Sequence, residues 1–119
     1  LERHLASPLH GPTVDAFAAT VEWLDRVNPD GSRALLLDSG CGTGRSTRLT
    51  ALANPAALVI GVDRSLDRLE RGRGGEVALP SNAWLVRAEL ASFWRLLLEA
   101  DDGRLAARVR RHLLLYPNP

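Results

Sequence analysis

Four polar residues stand at the ends of four apolar runs. Asp38 closes residues 34–37, Asp63 closes 58–62, Glu89 lies just past 83–87, and Asn118 lies just past 112–116. Between the first two acids come Gly40, Gly42 and Gly44, at alternate positions. These residue types suit recognition by hydrogen bonding; no spacing here suits a metal site. An acid about 20 positions beyond a glycine loop, here Asp63, can accept from both hydroxyls of a ribose. Asp38 can hold a ligand amino group, directly or through water, and can support the loop. Glu89 can accept from an exocyclic adenine amine, and the backbone amides around Ala88 and Glu89 can meet ring nitrogens. Arg64, beside Asp63, completes the candidate set. Any one of these acids alone could equally cap the helix that follows it. Their joint placement favours a ligand.

The elements that must position them follow from pattern and punctuation. Residues 34–38, 58–63, 83–87 and 112–116 are short apolar runs, the form of strands buried on both faces. Thr13 is expected to cap a helix to Val27, with Val14, Phe17, Ala18, Val21 and Leu24 as its inward stripe. Asn28-Pro29-Asp30-Gly31 ends it. A helix over 44–53 should turn Leu49, Leu52 and Ala53 inward and Arg45 and Arg48 outward. Ser65 can cap a basic helix to about Arg71, read as a solvated face with local ion pairs. A helix over 91–100 should bury Leu90, Phe93, Trp94, Leu97 and Leu98, and Asp101-Asp102-Gly103 should break it. A short helix over 104–110 should carry Arg104, Arg108 and Arg111 on one side, candidates for contact with an acidic partner. His10, in the leading segment, reads as a surface histidine that could face a ligand. The expected architecture is α/β: a Rossmann-like, doubly wound parallel sheet in a single domain over 1–119, with 1–33 as leading segment and helix. Carboxyl ends of parallel strands share one edge, where such sheets bind ligands.

Bulk properties set few further limits. The chain has 119 residues, and its net charge of +1 gives no global field for nucleic acid or membrane. All fifteen basic residues are Arg, and the single Cys rules out a disulfide framework. No run approaches the roughly 20 apolar residues of a membrane span. Cytoplasmic placement is expected. The absence of Met and the final Pro117-Asn118-Pro119 suggest a chain truncated after its fourth strand.

Glycine spacing discriminates among nucleotide-like ligands. A dinucleotide fingerprint is G-x-G-x-x-G. Here the pattern is G-x-G-x-G, and Arg45 stands where the third dinucleotide glycine would fall. That disfavours a nicotinamide-dependent dehydrogenase. Asp38-x-Gly40-x-Gly42-x-Gly44 resembles motif I of the class I S-adenosylmethionine-dependent methyltransferases, and nearly the whole chain resembles their N-terminal half. The closing Tyr116-Pro117-Asn118-Pro119 resembles, more narrowly, the end of the fourth strand in the bacterial tRNA (guanine-N7)-methyltransferase family, where the motif is aromatic-Pro-Asp-Pro-Trp-Pro-Lys. That resemblance implies S-adenosylmethionine as cofactor and tRNA as substrate of the full-length protein. It assigns Asp38 to the first acidic position, Asp63 to the ribose, Glu89 to the adenine and Asn118 to the catalytic position.

Two features depart from that family. Asn118 replaces its Asp, and the Trp-Pro-Lys does not follow. Guanine N7 has a free lone pair, so methylation there requires alignment more than a base. An Asn carbonyl can still accept from guanine's amino edge, more weakly than a carboxylate. Methyltransferases of exocyclic amines carry Asn-Pro-Pro-aromatic at the same place, which keeps an amine or small-molecule acceptor as the alternative. A cofactor-binding module without turnover is the third reading.

Overall fold

The computed structural model describes residues 9–65 and 78–114, with side chains as far as residue 110. The helix expected from Ser65 to Arg71 falls almost wholly outside them, and Asn118 falls outside as well.

Four strands form one parallel sheet: β1 (Leu35–Ser39), β2 (Leu58–Asp63), β3 (Ala83–Arg87) and β4 (Val109–Leu114). Their order is β3-β2-β1-β4, with every neighbouring pair parallel. This is the order of the first four strands of a Rossmann-type sheet, doubly wound about β1. The chain steps outward from β1 to β2 and β3, then crosses back to lay β4 on the other side of β1. The direction of winding therefore reverses between β1 and β4. Residues of β1 and β2 are buried throughout, as the unbroken apolar runs require.

The helices divide between the two faces. Helices α1 (Gly11–Val27) and α3 (Leu90–Glu99) pack together on one face; α2 (Arg45–Ala53) covers β2 and β3 on the other. Strand alternation sends Leu35, Leu37, Leu58, Ile60, Val62 and Val86 into the larger core, with Phe17, Trp23 and Leu24 of α1 and Phe93 and Leu97 of α3. Phe17 and Phe93 meet edge to face at 5.4 Å, and Trp23 stacks on Trp84 at 5.3 Å. Such pairs add about 0.5–1.5 kcal/mol beyond the area they bury. The opposite face is thin: Leu36, Val59, Ala83 and Ala51 form a separate small cluster.

Several helix faces differ from the pattern reading. On α1 the buried stripe is Thr13, Phe17, Thr20, Trp23 and Leu24, while Val14 and Ala18 are exposed. The N-cap is His10 rather than Thr13. Pro12 supplies the early turn, and Thr20 is drawn inward to accept from Trp84 Nε1 at 3.0 Å. On α2 the difference is larger. Thr47, Arg48 and Ala51 are buried, whereas Leu49 and Leu52 are 46% and 58% exposed and Ala53 is exposed. Arg45 does face outward. Two hydroxyls in the first turn are held by a buried carboxylate, as described below, and that sets the rotation of the helix against its apolar periodicity. Arg48 folds back so that Nη1 donates to Thr43 O at 3.0 Å. On α3, Ser92 is buried and Leu98 is 65% exposed, because the helix leans on α1 through the Phe93 side.

The expected helix over 104–110 is only α4 (Arg104–Ala107), after a turn over Ala100–Gly103 with Asp101 and Asp102 at positive φ. Leu35 N donates to Arg108 O at 3.2 Å, so pairing with β1 has already begun there. The free edge of β1 captures the backbone. Arg111 therefore lies in β4, not on a helical side with Arg104 and Arg108, and the strand begins three residues earlier than expected.

Asn82 staples the loops at the opposite edge. Its Nδ2 donates to Ala51 O, Asn54 O and Ala57 O at 3.0, 3.2 and 3.0 Å. Asn82→Ala removes the bonds that tie the end of α2 and the loop after it to the start of β3, and is expected to cost about 1–3 kcal/mol. Thermal unfolding followed by circular dichroism should show a midpoint lower by roughly 4–8 °C for each kcal/mol lost.

Candidate functional site

The carboxyl ends of β1 and β2 meet in one buried polar knot. Asp38 is fully buried, and its Oδ2 accepts from Ser46 Oγ at 2.6 Å and Thr47 Oγ1 at 2.7 Å. These two bonds tie the end of β1 to the first turn of α2. Among the described residues, the other oxygen of Asp38 has no hydrogen-bond partner. Gly40 N and Cys41 N donate to Val62 O at 2.7 and 3.1 Å, carrying the loop across the top of β2. Asp63 then grips the loop. Its Oδ2 accepts from Gly42 N at 2.9 Å and its Oδ1 from Ser65 N at 2.8 Å.

The three loop glycines all have positive φ, but they serve different ends. Gly44, at φ +88°, caps α2, and a Cβ there would sit 2.9 Å from both methyls of Leu85. It is required by conformation and by packing together. Gly42, at φ +63°, has nothing within 4 Å of where its Cβ would be. Its backbone is thus open to approach from outside, as a ligand-cradling glycine must be.

Cys41 lies inside this knot. Burial raises its thiol pKa to about 12, and the nearby Asp38 and Asp63 add to the rise. A thiol that stays protonated is a poor nucleophile. Native protein at pH 8 is expected to resist labelling by a thiol-specific disulfide reagent, and to react stoichiometrically once denaturant is added. Absorbance of the released thiolate provides the check.

A second polar group forms past β3. Ala88 is buried and its N–H donates to Asp63 O at 3.0 Å; the Glu89 N–H donates to Thr13 Oγ1 at 2.9 Å. Both backbone amides expected to meet ring nitrogens therefore already have acceptors within the protein. The Glu89 carboxylate accepts from Ser92 Oγ at 2.5 Å. That bond, with smaller help from Arg64 and from His10 when it is protonated, and against desolvation, holds its pKa below the ordinary glutamate value. His10 is exposed at the rim. Its Nδ1 pairs with Thr13 Oγ1 at 2.7 Å, and its backbone N–H donates to Ser92 Oγ at 3.3 Å.

The fold thus brings Asp38, Gly40, Gly42, Gly44, Asp63, Ala88 and Glu89 to one sheet edge, with Arg64 exposed beside them. Leu114 pairs with Ser39, so β4 reaches the same edge. Ser46, Thr47 and Ser92 join this edge beyond the residues expected there, and Thr13, expected as a helix cap, serves Glu89 instead. Local signals existed for three of them: two hydroxyls directly after the glycine loop, and Ser92 three positions beyond Glu89. Nothing local ties Thr13 to Glu89, which lie 76 residues apart. Among the described residues no cluster of His, Cys, Asp or Glu could hold a metal ion, and no helix is long and apolar enough to cross a membrane.

No protein-family model and no curated protein matches the chain. Among solved structures, the antibiotic-resistance methyltransferase Kmr aligns with a TM-score of 0.47 and 23% identity, over 87% of this chain and 69% of Kmr. The plantazolicin methyltransferase BpumL, solved in complex with SAH, aligns with a TM-score of 0.42 and 18% identity, over 69% of this chain. The alignment takes in 30% of BpumL.

Proposed function

We propose that this chain is the cofactor-binding part of an S-adenosylmethionine-dependent methyltransferase, and that the full-length protein methylates guanine N7 of tRNA. The observation that carries the cofactor reading is the glycine loop itself. Its open backbone at Gly42 is held by the Asp63 carboxylate, next to a buried Asp38 oxygen that lacks a partner among the described residues. A buried carboxylate oxygen without a partner is costly, and a ligand ammonium, directly or through one water, would supply what it lacks. The Asp63 carboxylate accepts the Gly42 and Ser65 N–H groups, and a carboxylate oxygen can accept more than one hydrogen bond, so a ribose hydroxyl can join them. With the Ala88 and Glu89 amides engaged, contact with the adenine amine falls to the Glu89 side chain, beside Arg64. The residues present fit the group.

When bound, S-adenosylmethionine supplies an electrophilic methyl on a sulfonium centre. The cation also favours this acid-rich edge electrostatically. The task of the chain is to fix the two ends of the ligand; Cys41 of the loop packs on Leu85 of β3, which helps hold the loop in place. The guanine-N7 reading rests on the closing Tyr116-Pro117-Asn118-Pro119, with Asn118 accepting from the amino edge of guanine. Because Asn replaces Asp there, an exocyclic amine is the second acceptor class. A module that binds without turnover is the third reading.

Titration calorimetry of the chain with S-adenosylmethionine and with NAD tests the cofactor; saturable heat with the first and none with the second is expected. Incubation of the full-length protein with unmodified tRNA and labelled cofactor tests the acceptor. The expected nucleoside is 7-methylguanosine. An N-methylated amine as sole product would transfer the assignment to the second class, and binding without label transfer to any acceptor would support the third.

A further inference from the structure

His10 places an exposed imidazole at the Glu89 end of the site, and its tautomer follows from counting protons. Thr13 is fully buried, and its Oγ1 accepts the Glu89 N–H. The hydroxyl proton of Thr13 must go elsewhere. His10 Nδ1, at 2.7 Å, is its partner among the described residues. A nitrogen that accepts from Thr13 is unprotonated, so a neutral His10 carries its proton on Nε2. The ring is exposed, so that Nε2–H is available to a ligand. The Glu89 carboxylate beside it is an acceptor, held by Ser92 through one oxygen. Ser92 Oγ also receives the His10 backbone N–H, which anchors both residues to one hydroxyl.

A 6-aminopurine presents a donor, its exocyclic amine, next to an acceptor, ring N1. A 6-oxopurine presents the reverse: an acceptor at the 6-oxygen and a donor at N1. We propose that His10 is a specificity-determining residue of the cofactor site, its Nε2–H donating to adenine N1 while the Glu89 carboxylate accepts from the adenine amine. This rests on the S-adenosylmethionine reading above. Thr13 is a positioning residue: one hydroxyl sets the His10 tautomer and holds the backbone of Glu89. The N-terminal segment, 76 positions away in the chain, thereby reads the base.

The test uses S-adenosylhomocysteine and its deaminated counterpart S-inosylhomocysteine, titrated into the whole chain. Wild type should prefer the adenine ligand. His10→Ala should weaken S-adenosylhomocysteine about tenfold, the loss of one hydrogen bond, and leave the inosine ligand unchanged or slightly tighter. The preference ratio should fall accordingly. Thr13→Val should reproduce the fall in ratio, and Thr13→Ser should restore it. An unchanged ratio in His10→Ala, or an equal loss for both ligands, would overturn the proposal while leaving the cofactor reading intact. Wild type that binds neither ligand would overturn both. His10→Ala takes the acceptor from the buried Thr13 hydroxyl and should lower the unfolding midpoint modestly. The preference ratio of the folded variant decides, because a purely structural loss weakens both ligands alike, and Thr13→Val, at greater risk of misfolding, is not needed for it.

Discussion

Asp63→Ala is expected to abolish measurable S-adenosylmethionine binding, with affinity lower by at least about 100-fold. Two effects combine. The carboxylate can accept from two ribose hydroxyls, and hydrogen bonds to a charged group contribute roughly 1.5–3 kcal/mol each. It also holds the loop in its open form, through Gly42 N and Ser65 N at 2.9 and 2.8 Å. Without it both N–H groups lose their acceptor, and the glycine backbone that should cradle the ligand is no longer prepositioned. Asp63→Asn separates the two effects. The amide oxygen can still serve one backbone N–H, but its nitrogen cannot accept from a hydroxyl. Binding should fall by about tenfold or more with a smaller loss of stability. Calorimetry for affinity and circular dichroism for the unfolding midpoint provide the two readouts. Undiminished affinity in Asp63→Ala would show that the ligand, if bound, sits elsewhere.

Gly61→Ala should be strongly destabilising for the addition of a single methyl. Gly61 lies in the middle of β2, paired on both sides, with Asp38 opposite in β1 and Leu85 opposite in β3. An added Cβ would clash with Thr47 Oγ1 and lie 3.0 Å from a Leu85 methyl and 3.1 Å from Cys41 Sγ. The strand cannot move aside, because both neighbours pin its register. Thr47 cannot swing away without abandoning the buried Asp38 carboxylate. Overpacking costs about 1–3 kcal/mol, and a broken buried bond to a charged group adds about 1.5–3 kcal/mol. The sum is a large part of a typical domain's 5–15 kcal/mol. A fall of the unfolding midpoint by roughly 15–30 °C is expected. Gly11→Ala is the control. Its added Cβ would meet nothing within 4 Å, at the exposed start of α1, and the midpoint should hold or rise slightly.

Gly61→Ala acts on the contact between α2 and the sheet, whose orientation differs from the one expected from the sequence. Leu49, Leu52 and Ala53 fit a helical stripe, and nothing in their spacing argues against burial. The face that does pack is small and polar: Thr47 and Ala51, with Arg48 laid over the loop. Such a face suits a helix whose first turn is held close to the strands by Asp38 and by the room at Gly61. The choice depends on Asp38, eight and nine positions before Ser46 and Thr47, and on a glycine in the next strand. Periodicity within one helix contains none of that. The short α4 has a similar origin. Residues 108–111 can continue a helix by local preference, but β1 offers an unpaired edge, and pairing prevails.

The strands are the opposite case. The residues of β2 and β3 match their apolar runs to the residue, and β1 is displaced by only one. A strand inside a parallel sheet is buried on both faces, so its sequence must be apolar throughout and can turn polar only where it emerges. Asp38, Asp63 and Glu89 were legible for that reason. So was their convergence, because parallel strands joined by right-handed crossovers end at one edge. The framework was therefore readable from consecutive residues: which segments are buried, where they surface, and that glycine backbone and carboxylates surface together. The partners those carboxylates hold came from folding: Ser46 and Thr47 for Asp38, the Gly42 and Ser65 amides for Asp63, and Ser92 for Glu89, with Thr13 and His10 brought to the same edge. Burial along a strand is written in consecutive residues. A buried hydrogen bond is a choice among all the donors that folding brings within about 3 Å, and chain separation does not restrict it.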